Sequence, residues 1–261
     1  MLSQSQIKQI TALQVRKYRE ELGLFMAEGE KLVLDLIRSE FKVAAIYASS
    51  SWIIDHLAII REKEIPAIET LPREMERISA LSTPSPVLAV VKKPESGSLI
   101  SISAFCQPSS GLSLALDNIR DPGNFGTIIR IADWFGIKRI WCSENTVDLY
   151  NPKVVQATMG SIARVEVMYE ELDQVFARLN GQFPVFGAYL EGENVFTAEL
   201  PSSGIILIGN ESRGISPQLE TWVTRKVFIP SFGDKNHGKA ESLNASIATA
   251  ILCSEFLRNQ F

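Results

Sequence analysis

Three polar side chains suited to holding and activating a nucleophile follow an apolar run in the middle of the chain. The run at 112–116 predicts a buried strand, and it ends in a polar turn that leads into a helix. Asn118 and Asn124 lie on this turn, and Arg130 shares a helix face with Gly126. A glycine one turn from an arginine leaves room for a ligand beside the guanidinium. Open α/β sheets bind their ligands at this carboxyl end of a strand.

Two later stretches repeat the pattern of a strand that ends in polar residues. The apolar run at 205–208 continues into Gly-Asn-Glu at 209–211, where glycine permits close backbone approach. A second run reaches Ile-Pro at 229–230, and Ser-Leu-Asn at 242–244 then opens a long predicted helix. Each stretch taken alone is also typical of an ordinary turn or of a helix cap. Their order along one chain favours a shared site.

Together the three stretches resemble the signatures of the SpoU/TrmH family of RNA ribose methyltransferases, a branch of the knotted SPOUT methyltransferases. The first signature is Asn, Asp-Pro-x-Asn-x-Gly and Arg, which the residues from Asn118 to Arg130 match. The second usually has another Gly after Gly-x-Glu, and Ser212 stands there instead. The third pairs Ile-Pro with Ser-Leu-Asn-x-Ser. In the family this third segment threads through a loop to form a trefoil knot, so the resemblance implies one here.

The resemblance implies that the chain methylates a ribose 2′-hydroxyl in RNA with S-adenosylmethionine. No metal is expected, because the sulfonium already supplies the leaving group. The residues matching the signatures are given roles in catalysis (Asn124, Arg130, Glu211 and Asn244), in the cofactor pocket (Gly209, Ile229 and Leu243, with Leu207, Asn210 and Ser242 beside them) and in substrate binding (Asn118 and Arg130).

Two residues are candidates for activating the ribose hydroxyl. A guanidinium stays protonated in proteins, so Arg130 is not a simple base. Arg130 can instead hold the neighbouring phosphate and lower the pKa of the hydroxyl by its positive charge. Alternatively, Glu211 accepts the proton while Arg130 orients the substrate. The sequence leaves both routes open.

The chain divides at a Ser-, Gly- and Pro-rich stretch that is typical of a linker, 94–111. Residues 1–93 are predicted to form a small α/β domain, and Phe25–Glu30 resembles the start of the ribosomal-protein-like domain that many family members carry. Lys17 and Arg19 lie on a basic helix that either faces RNA or is simply solvated. A methyltransferase domain is predicted over 112–261.

Strands and helices alternate in the second domain, which predicts an α/β fold with a mostly parallel sheet covered on both faces. The predicted strands are 112–117, 138–142, 164–168, 184–189, 204–209 and 226–229. The predicted helices are 123–135, 151–159, 170–180, 216–224 and 242–258.

Composition narrows the class of protein. The net charge of −4 over 261 residues argues mildly against a dedicated nucleic-acid coat, although a local basic patch is compatible with it. Three distant cysteines without a Cys-x-x-Cys pair favour neither disulfides nor a zinc ribbon and fit a reducing cytoplasm. No apolar run approaches the ~20 residues of a membrane helix, and the amino terminus lacks signal-peptide features.

Parts of the sequence also resemble features of other functions. The stretch 233–240 nearly spells a phosphate-binding P-loop, but Ala240 stands where a magnesium-binding hydroxyl is needed. The stretch from Phe232 to Ala240, longer than in the family, is predicted to be either a lid that meets RNA phosphates or a solvated loop. A non-catalytic RNA-binding or ribosome-assembly protein is the main alternative. The resemblance favours a cytoplasmic homodimer acting on ribosomal RNA rather than tRNA.

Overall fold

The structure is a computed structural model that describes residues 1–94, 111–179, 181–233 and 241–258. The chain forms two compact units, Met1–Ser98 with Asp148–Arg164 (unit 1) and Leu99–Val147 with Val165–Phe261 (unit 2). The helices are α1 Gln4–Ala12, α2 Arg16–Leu22, α3 Glu30–Ile37, α4 Ser50–Asp55, α5 Leu57–Glu62, α6 Pro72–Ile78, α7 Pro122–Trp134, α8 Pro152–Ala157, α9 Leu172–Leu179, α10 Pro217–Glu220 and α11 Ala245–Leu257. The strands are β1 Leu24–Glu28, β2 Val43–Ala48, β3 Ala67–Glu69, β4 Val87–Lys92, β5 Leu112–Leu116, β6 Arg139–Cys142, β7 Glu166–Tyr169, β8 Val185–Tyr189, β9 Glu193–Asn194, β10 Gly204–Ile208 and β11 Arg225–Phe228.

Unit 1 is built on a four-stranded sheet with the order β1-β4-β2-β3. Strand β4 pairs antiparallel with both β1 and β2, and β3 adds to β2 in parallel. Apolar residues of α1 and α6 join residues of β1, β2 and β4 in one buried cluster, to which Ile10, Met26 and Ile78 belong. Helix α1 starts in a capping box in which Ser3 and Gln6 satisfy each other's free amides.

Unit 1 is completed by Asp148–Arg164, a segment that lies in the chain between two strands of unit 2. The ring of Tyr150 lies 4.8 Å from that of Phe25 on β1, and Arg164 pairs with Asp35 of α3 at 3.1 Å. Gly160 has φ +96, and a Cβ there would collide with the Asp35 carboxylate, so only glycine fits. Sequence order had placed this segment with the methyltransferase domain.

Unit 2 is built on a seven-stranded sheet with the order β7-β6-β5-β10-β8-β11-β9, in which each pair of neighbouring strands is parallel. On β8, Val185 packs in a cluster with α9, whereas the next residue, Phe186, meets Phe256 of α11 at 4.7 Å. Because successive side chains of a strand point to opposite faces, α9 and α11 cover opposite faces of the sheet. The predicted parallel α/β fold is confirmed.

The chain order of the strands reverses between β5 and β10. From β5 the chain moves outwards through β6 and β7, and then crosses to the strands on the other side of β5. In sheets of this kind, the crevice outside the carboxyl ends of two such strands is where ligands bind. A ligand site is therefore expected at the loops that follow β5 and β10.

All six strands predicted for the second domain are present, with ends that shift by at most two residues. Three short strands were missed, namely β1, β3 and β9, and the predicted helix at 216–224 is reduced to the single turn of α10. The predicted knot stays a prediction, because the path from β11 to α11 passes through 234–240, outside the described residues. The predicted linker and most of the predicted lid also lie outside them.

Candidate active site

The start of α7 sets the orientation of Asn124. Asp121 is the N-cap, and its Oδ1 accepts a hydrogen bond of 2.7 Å from the backbone amide of Asn124. Pro122 occupies the first turn, where its missing amide costs nothing. Phe125 and Gly126 are buried beside it. The Asn124 side chain therefore projects from a rigid helix start next to the loop that follows β10.

Three of the four predicted catalytic residues form one chain of hydrogen bonds. Nδ2 of Asn244 donates to Oδ1 of Asn124 at 2.7 Å, and Nδ2 of Asn124 donates to Oε1 of Glu211 at 2.8 Å. We call these three side chains the relay. It joins residues that are 120 and 87 positions apart in the sequence.

The direction of the relay is fixed at its Asn244 end. Asn244 is the N-cap of α11, and its Oδ1 accepts from the amides of Ser246 and Ile247 and from the Ser246 hydroxyl. Only its Nδ2 is left for Asn124, which must then accept with Oδ1 and donate with Nδ2. The last member, Glu211, must accept, as a carboxylate does. Its second oxygen, Oε2, has no partner within the described ranges.

The fourth predicted catalytic residue, Arg130, is exposed on α7 and has no hydrogen-bond or ion-pair partner among the described residues. It lies six residues beyond Asn124, about 9 Å along the helix axis. Arg130 thus lies on the same helix as the relay, and among the described residues it does not contact the relay.

The loop after β10 is a tight turn that presents Glu211. Asn210 and Gly214 exchange two backbone hydrogen bonds, of 3.0 and 2.8 Å, which close the turn. Gly209 lies against the backbone of Gly214 so closely that any Cβ would collide with it. Oδ1 of Asn210 accepts from the amides of Ser212 and Arg213, at 3.0 and 3.1 Å. The turn is therefore held from inside by the Asn210 side chain.

The loop after β5 carries an unsatisfied acceptor. Asn118 has φ +60, a left-handed conformation that asparagine tolerates better than most residues, and its amide donates to Oγ of Ser143 at 2.8 Å. Its side-chain oxygen is buried and has no hydrogen-bond partner in the part of the chain that the structure describes. Buried polar atoms normally find partners, so this oxygen is suited to accept a hydrogen bond from a ligand.

The predicted cofactor residues differ in how accessible they are. Gly209 and Ile229 follow β10 and β11, which lie on either side of β8 at the same edge of the sheet. Leu243 is exposed, as an apolar ligand contact requires, and Ser242 precedes it on the approach to α11. The Leu207 side chain is 0% exposed and packs in the core, so only the backbone of Leu207 is left for the predicted cofactor contact, which stays a prediction.

Arg19 was also assigned incorrectly. It is 2% exposed, its Nε donates to Oδ2 of Asp148 at 3.0 Å, and it donates further to the carbonyls of Leu13 and Gln14. A guanidinium held by these acceptors inside unit 1 cannot contact RNA. Lys17, by contrast, is exposed and lies 3.7 Å from Glu21 on its own helix.

The two cysteines that the structure describes are unsuited to chemistry. Cys142 and Cys253 are buried free thiols, and burial raises the pKa of Cys253 to about 12 and that of Cys142 well above its usual value. Within the described ranges no three His, Cys, Asp or Glu side chains are grouped as metal ligands. No helix in those ranges is long and apolar enough to cross a membrane.

Two residues of the site were missed by the sequence analysis. Asp117, the residue after β5, is buried, and its Oδ2 accepts from the amide of Ser216 at 2.7 Å. Ser216 is the N-cap of α10, beyond the Glu211 turn. A carboxylate directly at the end of a buried strand was a signal that could have identified Asp117.

Comparison with known proteins agrees with this geometry. The profile of the SpoU rRNA Methylase family matches residues 111–254, and that of the MRM3-like substrate binding domain matches residues 4–89. The 23S rRNA (guanosine(2553)-2′-O)-methyltransferase RlmP of Bacillus subtilis is 26% identical, over 94% of this chain and 93% of its own length.

Two solved structures are similar over nearly their whole length. A putative RNA methyltransferase of the TrmH family from Porphyromonas gingivalis is 36% identical with a TM-score of 0.81, covering 99% of each chain. The AdoMet-bound rRNA methyltransferase from Sinorhizobium meliloti is 28% identical with a TM-score of 0.85, covering 100% of this chain and 98% of its own. The family signature, the parallel sheet and the relay agree, and the chain belongs to the SpoU/TrmH family of RNA ribose 2′-O-methyltransferases.

Proposed function

We propose that this protein transfers a methyl group from S-adenosylmethionine to a ribose 2′-hydroxyl of ribosomal RNA. The observation that carries the proposal is the relay, which brings one residue from each of the three family signatures together at the switch point of the sheet. Ribosomal RNA is favoured over tRNA because the similar proteins are named as rRNA methyltransferases and because unit 1 matches an MRM3-like substrate binding domain.

The residues present fit S-adenosylmethionine, which supplies an electrophilic methyl group when bound. The exposed Leu243 and the end of β11 at Ile229 offer apolar contact, and Gly209 offers backbone groups unobstructed by a side chain. The unpartnered Oδ1 of Asn118 offers an acceptor nearby for RNA or cofactor. The AdoMet-bound structure of a similar protein supports the same donor.

Glu211 takes the proton of the ribose hydroxyl in this proposal. Its Oε1 is engaged by Asn124, which orients the carboxylate, while its Oε2 is available for the proton. Arg130 holds the adjacent RNA phosphate, since it is an exposed cation without an acidic partner in the described part of the chain. Orientation and proton removal together are what a methyl transfer between bound partners requires.

RNA contacts unit 1 at a basic edge, which we define as Lys42, Lys92 and Lys93. The amide of Lys92 donates to the carbonyl of Lys42 at 2.8 Å, so the two lysines are neighbours on adjacent strands. The Lys93 ammonium lies 5.2 Å from the centre of the Tyr150 ring. None of the three has an ion-pair partner among the described residues. Lysines without acidic partners among the described residues, grouped at one end of two adjacent strands, suit a phosphate backbone.

The protein works as a homodimer in the cytoplasm in this proposal. Trp134 at the end of α7 is 86% exposed and Ile247 at the start of α11 is 52% exposed, on two helices that pack against each other in unit 2. Large apolar side chains exposed on neighbouring helices favour association with a second copy. Free buried thiols at Cys142 and Cys253 are compatible with a reducing compartment.

The function is tested with purified protein, tritiated S-adenosylmethionine and ribosomal RNA, with tRNA as the competing substrate. Methylated nucleosides are then identified by mass spectrometry. Arg130→Ala should abolish transfer and leave calorimetric S-adenosylmethionine binding nearly unchanged. Arg178→Ala, which removes an exposed arginine of α9 in the same unit, is the matched control and should remain active. RNA binding without methyl transfer would support the non-catalytic alternative instead.

A further inference from the structure

The two loops of the candidate site are fastened to each other by reciprocal side-chain hydrogen bonds. From the loop after β5, Oδ2 of Asp117 accepts from the amide of Ser216 at 2.7 Å. From the loop after β10, Nδ2 of Asn210 donates to the carbonyl of Asn118 at 2.8 Å. We call this pair of bonds the clasp. In the chain, Asn210 comes directly before Glu211, and Ser216 follows the Glu211 turn.

Both polar atoms of the Asn210 side chain hold the two loops. Its Oδ1 accepts from the amides of Ser212 and Arg213, inside the turn, while its Nδ2 crosses to the carbonyl of Asn118. The oxygen and one of the two Nδ2 hydrogens are therefore engaged within the protein. This arrangement favours a structural role of the side chain over a contact with the cofactor.

The clasp joins the loop that leads to Asn124 with the loop that carries Glu211. Asn118 and Asp117 lie a few residues before Asn124 at the head of α7, and Asn210 is the residue before Glu211. The hydrogen bond between Asn124 and Glu211 is 2.8 Å long, and both side chains are accessible to water. Water competes for such a bond, so its geometry depends on how firmly the two loops are held.

We infer that Asn210, with Asp117, is a positioning residue that holds Glu211 against Asn124 and is not itself a cofactor or substrate ligand. The inference rests on the proposed function, since it concerns the rate of methyl transfer. A displacement of about 1 Å at a reacting group can cost about 100-fold in rate. The loss should appear in kcat with both substrates saturating, because the cofactor contacts are left in place.

The test compares Asn210→Ala and Asn210→Asp with the parent. Alanine removes both halves of the side chain. Aspartate keeps an acceptor for the Ser212 and Arg213 amides but has no donor for the Asn118 carbonyl. Asn194→Ala is the matched control, since Oδ1 of Asn194 accepts from the Phe196 amide in a similar turn on β9. Methyl transfer, calorimetric S-adenosylmethionine affinity and thermal unfolding are measured for each protein.

Both Asn210 variants are expected to lose about 30- to 100-fold in kcat while S-adenosylmethionine affinity stays within about two-fold. The Asn194 control should keep parental kcat. If Asn210→Ala is too unstable to assay, Asn210→Asp decides alone, because it keeps the acceptor inside the turn and removes the Asn210 bond of the clasp while the Asp117–Ser216 bond remains. A loss of cofactor affinity with kcat preserved would make Asn210 a cofactor ligand and overturn the inference. Parental kcat in Asn210→Asp would also overturn it, whereas an inactive parent would refute the proposed function itself.

Discussion

Replacing Glu211 by glutamine separates the two routes for activating the ribose hydroxyl. Glutamine keeps a carbonyl oxygen that accepts the hydrogen bond of Asn124, so the relay retains its geometry and direction. The other terminal atom becomes an amide nitrogen, which has no lone pair for a proton. The substitution therefore removes the acceptor of the proton and little else.

The expected loss of kcat is that of an enzyme whose general base has been removed. Loss of a general base lowers kcat by about 10²- to 10⁴-fold, which corresponds to about 3 to 5 kcal/mol of activation free energy. The free energy of unfolding should change by less than about 0.5 kcal/mol, since the side chain is exposed and keeps its hydrogen bond. S-adenosylmethionine affinity should be unaffected.

The assay is tritium transfer from saturating S-adenosylmethionine to saturating RNA, which reports kcat. Glu211→Gln should lower kcat by the factor given above. Glu199→Gln, at an exposed position elsewhere in unit 2, is the matched control and should leave kcat unchanged. Near-parental turnover in Glu211→Gln, with Arg130→Ala inactive, would refute the reasoning and assign activation of the hydroxyl to the charge of Arg130.

The remaining predictions concern unit 1. Arg19→Ala should lower the free energy of unfolding by about 3 kcal/mol in denaturant titration, because it removes a buried guanidinium and leaves the part-buried Asp148 carboxylate and two backbone carbonyls without their donor. Changing all three lysines of the basic edge to alanine should reduce the slope of log affinity for RNA against log salt concentration by about 2 to 3. Lys63→Ala at the end of α5 is the control and should leave this slope unchanged. A triple variant with the parental slope would show that the basic edge does not contact RNA. Burial, with the charge of Asp148, raises the pKa of Tyr150 to about 12, so stability should be constant below about pH 10 and fall between about pH 10 and 12, and Tyr150→Phe should abolish that fall. A fragment of residues 111–261 should bind cofactor but show rapid hydrogen exchange at 148–164, and full protection there would contradict the assignment of that segment to unit 1.

The parts of the site that could be predicted are those that short sequence patterns encode. Asn124 and Asn244 each sit at a helix start, where capping chemistry leaves a local signature, and Glu211 follows an apolar strand through a glycine. The strands of unit 2 were predicted because buried parallel strands are continuous apolar runs. The sequence also indicated the edge of the sheet at which these residues meet.

The errors arose where a residue's environment is decided by partners far away in the chain. Arg19 has the same local sequence context as Lys17, yet its partner Asp148 lies 129 positions away and draws it into the interior. Leu207 lies two residues before Gly209 in the predicted strand, and its side chain is buried in the core. The local pattern indicated that strand, but it carries no record of the distant charge that holds Arg19.

Distant residues also decide whether some of the strands form. The short strands β1 and β3 are made by pairing with β4 and β2, and neither has enough apolar alternation of its own to be recognised. Residues 50–62 form two short helices, because His56 interrupts the helical geometry between α4 and α5. Long-range pairing, rather than intrinsic propensity, decided the two strands.

The inclusion of Asp148–Arg164 in unit 1 has a consequence for how the chain folds as it is made. Domains usually fold in order from the amino terminus during synthesis, at about 5 to 20 residues per second. Unit 1 lacks its second segment, which carries Asp148, the partner of the buried Arg19, and is complete only when synthesis has continued from residue 98 to residue 164, about 3 to 13 s later. By then β5 and β6 of the second sheet have already been made. The two units therefore mature as one nascent assembly, and neither can be exchanged between proteins as a simple terminal module.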